Sequence, residues 1–291
     1  MQQFTIRDIE NLTGIKAHTL RIWEQRYEFF TPQRKESKHR FYDNEDLKKL
    51  LRISFLYNNG WKVSRIASLS QEEIITQVTE AKVTDDNTFV HVSKLITSAL
   101  DFNSEDFKGL IKDLIKRLGF EKTIVEVCYP YLRKIGLLWS TNRVIPAQEH
   151  FSSYIIQNFI IAETEKLPLL HKKPEIILLC PNGEFHELPL LFIHYMLKKN
   201  NWSVIYVGAN ISKNEIVALT SISSIDYIYL HLITNFTGMQ ADDYMETICN
   251  AFPEKKIIAS GDGINKLERS FTNLQTLNTE QQICNFIQRT T

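Results

Sequence analysis

The apolar positions of this chain change rhythm part-way along. Over roughly its first 165 residues they recur at three- and four-residue intervals, the period of helices that bury one face. Beyond that they gather into short β-rich runs, "PEIILLC", "WSVIYVG", "DYIYLHLI" and "KKIIAS". Helix-like stretches, "LPLLFIHYMLKKN", "SKNEIVALTSI" and "GMQADDYMETICNAF", separate these runs, and a weaker fifth pair lies in "LQTL" and "TEQQICNFI". Strands alternating with helices predict right-handed crossovers and a parallel sheet covered on both faces. Five such units suit a flavodoxin-like α/β domain over 171–291, whose ligand lies beyond the carboxyl ends of the strands.

The helical part divides in two. Thr5 and Asp8 make a T-x-x-D capping box for a first helix, and Gly14 suits the left-handed position that ends it. A second helix runs from about Ala17 to Phe29, with Leu20, Trp23 and Tyr27 as the stripe that docks on the first. Pro32 stops it. A basic hairpin-like segment with Arg34, Lys35, Lys38, His39, Arg40 and Tyr42 follows. Asp43 then caps a third helix ending at Gly60, and "WKVSRIASLS" makes a fourth. After a linker, helices separated near Asn103 and Gly119 and a last one, "AQEHFSSYIIQNFIIAETEKL", predict a four-helix bundle over 73–170.

Composition sharpens this picture in one respect. The chain of 291 residues has 34 Lys/Arg and 34 Asp/Glu, but residues 1–70 hold 13 basic against 8 acidic and the remainder 21 against 26. A head of net charge +5 on a body of −5 points to a polyanionic partner for the head. The four cysteines stand far apart with no CxxC pair, which suits reduced, buried thiols in a cytoplasmic protein. No run approaches the roughly 20 apolar residues of a membrane span, and the N-terminus lacks a secretory core. A soluble, intracellular protein without a membrane partner is expected.

The second helix presents His18, Thr19, Arg21, Gln25 and Arg26 away from its apolar stripe. Two packed helices with such a polar face suit the major groove, and a projecting basic and aromatic loop suits phosphates and the minor groove. Each feature alone fits any small helical domain. Their order, with "HTLRIWEQRY" and then "LKKLLRI…NNGWKVSRIA", resembles the winged helix-turn-helix of the MerR family over residues 3–70. The resemblance implies a DNA-binding domain over 1–72 that meets a two-fold symmetric, double-stranded operator as a dimer. Lys16, His18, Thr19, Arg21, Arg26, Lys38, His39, Arg40 and Tyr42 are the residues expected at the DNA.

In the bundle, "GLLWSTNRVIPAQEH" separates Trp139 from Glu149-His150 by nine intervening residues. Taken by themselves these are a core aromatic and two solvated residues of a helix's first turn. The spacing, with "CYPYLRKIGLLW" before it, resembles the CarH/LitR group of cobalamin-dependent MerR repressors. That resemblance implies a bundle capping adenosylcobalamin from above. Trp139 would pack on the adenosyl group, Glu149 would bond to it, and His150 would become the upper cobalt ligand once that group is lost.

The α/β region carries "GEFHELPLLF" after its first strand. Glu184-x-His186 there resembles the E/D-x-H-x-x-G signature of cobalamin-binding domains, and "NNWSVIYVGANIS" resembles their next segment. His186 is then implied as the lower cobalt ligand, displacing the cofactor's own base, with Glu184 orienting the imidazole and Gly261 near the nucleotide tail. Three positions depart from that pattern: Pro189 for the motif's glycine, His231 where a serine lines the channel for the displaced base, and Ser260 in place of one glycine of a Gly-Gly pair.

The function these observations predict is a DNA-binding regulator, a repressor, that senses adenosylcobalamin and light through cofactor-controlled oligomerisation as a dimer or tetramer. The alternative is a cobalamin-independent MerR-type regulator using the altered module for dimerisation or protein binding. A cobalamin enzyme is disfavoured, because no substrate barrel accompanies the module and a DNA-binding head does. Metal sensing is disfavoured too, since no cysteine lies between residues 71 and 127.

Overall fold

The structure, a computed structural model, describes residues 3–27, 33–34, 40–80, 88–140, 144–168, 174–222, 225–233 and 240–288. Two compact units divide the chain, residues 1–156 and 157–291.

The first unit opens as its capping residues dictate. Thr5 Oγ1 accepts the Asp8 N–H at 3.3 Å while the Asp8 carboxylate accepts the Thr5 N–H at 2.7 Å, starting α1 (Ile6–Thr13). Gly14 ends it at φ 71°, a conformation a side chain would strain. Glu10 Oε2 then takes the Ala17 N–H at 3.1 Å, so the carboxylate of one helix caps α2 (Ala17–Tyr27). Leu20 and Trp23 are buried as their spacing predicts. Short strands β1 (Gln33–Arg34) and β2 (Arg40–Phe41) pair antiparallel, and Phe4 and Tyr42 exchange backbone hydrogen bonds at 2.8 and 2.9 Å beside them. Asp43 and Asp46 make a second capping box on α3 (Asn44–Asn58), followed by α4 (Val63–Ala67) and α5 (Gln71–Glu80).

The bundle helices are α6 (Thr88–Leu100), α7 (Ser104–Leu118), a continuous rod over 120–140, and α10 (Pro146–Thr164), within which the division between units falls. The rod consists of α8 (Phe120–Thr123), a π-helical turn (Ile124–Cys128) and α9 (Tyr129–Ser140). Pro130 accounts for the wide turn. A proline has no N–H to donate, and its ring collides with the carbonyl four residues earlier in a regular helix. Widening the preceding turn, with the Tyr129 N–H bonded to Ile124 O, relieves that collision without breaking the rod. Head and bundle share this unit through polar ties. Lys48, nearly buried on α3, pairs with Glu45 at 2.8 Å and with Asp101 after α6. Lys134 on α9 donates to Leu12 O at the end of α1 at 3.4 Å, where the helix carbonyls are electron-rich.

The second unit is a five-stranded parallel sheet of β3 (Glu175–Pro181), β4 (Ser203–Ile211), β5 (Tyr227–His231), β6 (Lys256–Ser260) and β7 (Leu274–Leu277), in the order β4-β3-β5-β6-β7. The intervening helices are α11 (Leu188–Lys199), α12 (Lys213–Ile222), α13 (Ala241–Ala251) and α14 (Glu280–Gln288). Alternation decides the faces: Ile177, Leu179, Ile228 and Leu230 join one core, and Ile176, Leu178, Cys180 and Tyr229 the other. This is the flavodoxin-like order, and its direction reverses between β3 and β5, where such folds bind ligands. No described helix is long and apolar enough to cross a membrane.

Candidate functional site

At that reversal two loops are stitched together by one buried carboxylate. Glu184, in the loop after β3, is 0% exposed. Its Oε1 accepts the His186 backbone N–H at 2.9 Å and lies 2.6 Å from His186 Nδ1. Its Oε2 accepts the Ile233 N–H at 2.9 Å, from just beyond β5. Burying a charge without such partners would cost several kcal/mol, so the loop geometry and the acid sustain each other. The result is an imidazole fixed at Nδ1 and 46% exposed. A metal would meet it at Nε2, with the acid raising the ring's basicity.

Pro189 falls in the first turn of α11, where a missing N–H costs nothing. The neighbouring Glu187 accepts Tyr206 OH at 2.7 Å and crowds Gly208, whose added Cβ would stand 2.9 Å from Glu187 Oε1. That pair braces the same loop from the β4 side, and the sequence did not single it out.

Beneath the β5 and β6 ends lies a second cluster. His231 Nδ1 and Tyr229 OH each lie 2.8 Å from Ser260 Oγ, and His231 is 6% exposed. Burial holds the His231 imidazole neutral, with its pKa lowered to about 4. A Cβ on Gly261 would come within 2.3 Å of Leu232 O, and its φ is 102°, so the chain's own backbone demands this glycine. Tyr229 was missed in the sequence, although the two-residue strand period places it on the face of His231.

In the first unit, Trp139 ends α9 and is 48% exposed, so the core-aromatic reading of it does not hold. Glu149 and His150 lie in the first turn of α10, with His150 Nε2 at 3.7 Å from the Glu149 carboxylate and the His150 side chain 63% exposed. The His150 ring meets Tyr154 edge-on at 6.3 Å. Leu137, Ile145 and Tyr154 add further exposed apolar surface along these helices. Among the described residues no group of three or more His, Cys, Asp or Glu could hold a bare metal ion.

On the head, Lys16, His18, Arg21 and Arg26 are exposed, and Thr19 is partly so. Lys16 pairs with Glu10 at 3.2 Å, His18 Nε2 lies 3.3 Å from Thr19 Oγ1, and Arg26 lies 5.8 Å from the Tyr27 ring. Tyr42 is a correction. It is 1% exposed, because its backbone pairs with Phe4 and turns the ring into the head's core, away from any surface partner. Lys38 and His39 lie outside the described residues, while Arg40 stands on β2.

Comparison with known proteins finds two matches along the chain. Residues 4–73 match the MerR HTH family regulatory protein, and residues 92–162 match the B12 binding domain. The chain joins a MerR regulatory head to a B12-binding domain. It is homologous to two repressors of Myxococcus xanthus. The HTH-type transcriptional repressor CarA is 28% identical over 207 residues, covering 70% of this chain and 68% of that one. The HTH-type transcriptional repressor CarH is 20% identical over 258 residues, covering 86% and 85%. Among solved structures, the Methanosarcina barkeri monomethylamine corrinoid protein superposes with a TM-score of 0.55 at 13% identity, covering 68% of this chain and 97% of that one. At that identity the likeness shows a shared fold. The region that matches the B12 binding domain thus includes the helices that carry Trp139, Glu149 and His150.

Proposed function

We propose that this protein is a DNA-binding transcriptional repressor whose sensor module binds adenosylcobalamin and uses it, with light as the release signal, to control oligomerisation. The observation that carries the reading is the buried Glu184 holding His186 Nδ1 in a chain whose head is of the MerR type. A solvated loop histidine has no need of an acid that is wholly buried and tied to two backbone N–H groups.

His186 would hold the cobalt, with Glu184 fixing its tautomer. On the first unit Trp139 would supply an aromatic face, Glu149 an acceptor for a ribose or adenine donor, and His150 a second imidazole. Bound adenosylcobalamin supplies a photolabile cobalt–carbon bond. The working domains are 1–72, 73–170 and 171–291, and the protein acts in the cytoplasm without enzymatic turnover. Assembly through the sensor module joins several heads, each weak alone, on one double-stranded operator. Lys16, His18, Thr19, Arg21, Arg26 and the wing residues Lys38, His39 and Arg40 meet that DNA.

The test is an absorption spectrum of the purified protein loaded with adenosylcobalamin, dark and illuminated, for the native chain and for His186→Ala. Retained cofactor with a histidine-ligated spectrum lost in the variant is expected. Binding to its own upstream DNA should weaken with salt, with a slope of about 0.9 per phosphate contact in the logarithm. A second reading, a cobalamin-independent regulator, is favoured by the filled space at His231, and a native protein that retains no corrinoid would support it.

A further inference from the structure

Any base that His186 displaces from beneath cobalt has to leave on that same lower side, along the carboxyl ends of the strands. In this chain that side is occupied. His231, at the end of β5, is fixed through Nδ1 to Ser260 at the end of β6, and Tyr229 OH closes on the same hydroxyl. The turn at Gly261 presses on Leu232 O so closely that a methyl group would not fit, and Gly263 packs on the Leu232 side chain. Two residues on from His231, the Ile233 N–H is bonded to Glu184 Oε2 at 2.9 Å, which places the end of β5 beside the ligand loop.

One atom of this plug is unsatisfied. His231 Nε2 is buried and has no hydrogen-bond partner among the described residues. A buried polar nitrogen left without a partner is destabilising, and a ligand group can remove that penalty. His231, Tyr229 and Ser260 narrow the room left for a bicyclic base and its ribose, and one nitrogen among them still has a hydrogen bond to make.

We propose that His231 makes the module selective for corrinoids whose lower side chain ends short of a nucleotide base, with Nε2 hydrogen-bonding the hydroxyl or amide at that shortened end. This rests on the corrinoid reading above and narrows its ligand class. His231 is here a specificity-determining residue, and Tyr229 and Ser260 position it.

The experiment is an equilibrium titration in the dark, read by absorbance and by calorimetry, of the native chain with adenosylcobalamin and with adenosylcobinamide, which lacks the nucleotide. His231→Ser and His231→Asn are titrated alongside. The amide of the second variant retains a bond to Ser260 in a smaller side chain, which protects the fold. The native chain should bind the cobinamide at least tenfold more tightly. Each folded variant should reduce that preference at least tenfold, mainly by binding adenosylcobalamin better. The change in the ratio removes the intrinsic advantage of a corrinoid that has no base to displace. A native chain that binds both equally, or a preference that the variants leave unchanged, overturns this proposal while the sensor reading stands. A native chain that binds neither overturns both.

Discussion

Two imidazoles in this chain are proposed above as cobalt ligands, and their surroundings differ in kind. His186 stands against a carboxylate that is 0% exposed, at 2.6 Å, and that acid also holds backbone N–H groups from two loops. His150 projects from the first turn of α10, 3.7 Å from a partly exposed Glu149 and edge-on to Tyr154. The first is built before any cofactor arrives, and the second is left on the surface. A permanent ligand benefits from a fixed tautomer and orientation, because ordering it on binding would cost affinity. A ligand needed only after another group departs gains nothing from being fixed, and exposure leaves it room to move.

The widest gap between the two sites should appear on removing their acids. Glu184→Ala removes the acceptor of the part-buried His186 and Ile233 N–H groups, at about 1–2 kcal/mol for each. A loss of about 3 kcal/mol in urea unfolding of the second unit is expected, together with a 10- to 100-fold loss of corrinoid affinity. Glu149→Ala, at a partly exposed position, should leave stability nearly unchanged. Equal losses in the two variants would erase the distinction drawn here.

Acid probes the same asymmetry from the side of burial. His231 and His194 both have their pKa lowered to about 4, chiefly by burial, whereas an unfolded histidine titrates near 6.5. The folded state therefore resists a proton that the unfolded state accepts. Stability is full above about pH 6.5 and falls as the pH drops from there towards 4, by about 1.4 kcal/mol per unit for His231. Urea midpoints of the native chain and His231→Asn between pH 7 and 4.5 give the slope. A variant as acid-sensitive as the parent would assign the loss to carboxylates instead.

Why one site was plain in the sequence and the other only half so has a physical reason. The capping box of Thr5 and Asp8, the stripe of Leu20 and Trp23, and the period-two faces of β3 and β5 are local signals, set by residues a few positions apart. The sheet order follows from them and from crossover handedness. What makes Glu184 a buried acid is an N–H 49 residues later, and no spacing rule contains that contact. Tyr42 misled for the same reason: it stands in a basic segment, but its pairing with distant Phe4 takes it into the core. The wide turn before Pro130 escaped because a proline within an apolar helical pattern signals a stop as readily as a bulge.

The tie between head and bundle offers a smaller effect, located between the two extremes. Lys48 is nearly buried and pairs with Glu45 and Asp101. Asp101→Ala leaves the ammonium with the exposed Glu45 alone. Breaking a fully buried pair costs about 3–5 kcal/mol, but Asp101 is itself half exposed, so about 1–2 kcal/mol is expected. Thermal unfolding of the first unit measures it. A head that melts separately from the bundle in the variant but with it in the parent would show that this pair joins them.

The smallest expected effect is the most discriminating for the exposed imidazole. His150→Ala removes a side chain that is 63% exposed and whose nearest charged neighbour is 3.7 Å away, so its stability should change by less than about 0.5 kcal/mol. Dark assembly with adenosylcobalamin should be unaltered too, because under the proposed function His150 would be needed only once the adenosyl group is lost. After illumination the parent should show a spectrum with two nitrogen ligands, and the variant a spectrum with one nitrogen and water. A variant that fails to assemble in the dark would mean that His150 already contributes to the interface as a surface residue. The contrast between a ligand built in advance and one held in reserve would then have to be abandoned, although His186 and its buried acid would keep their part in it.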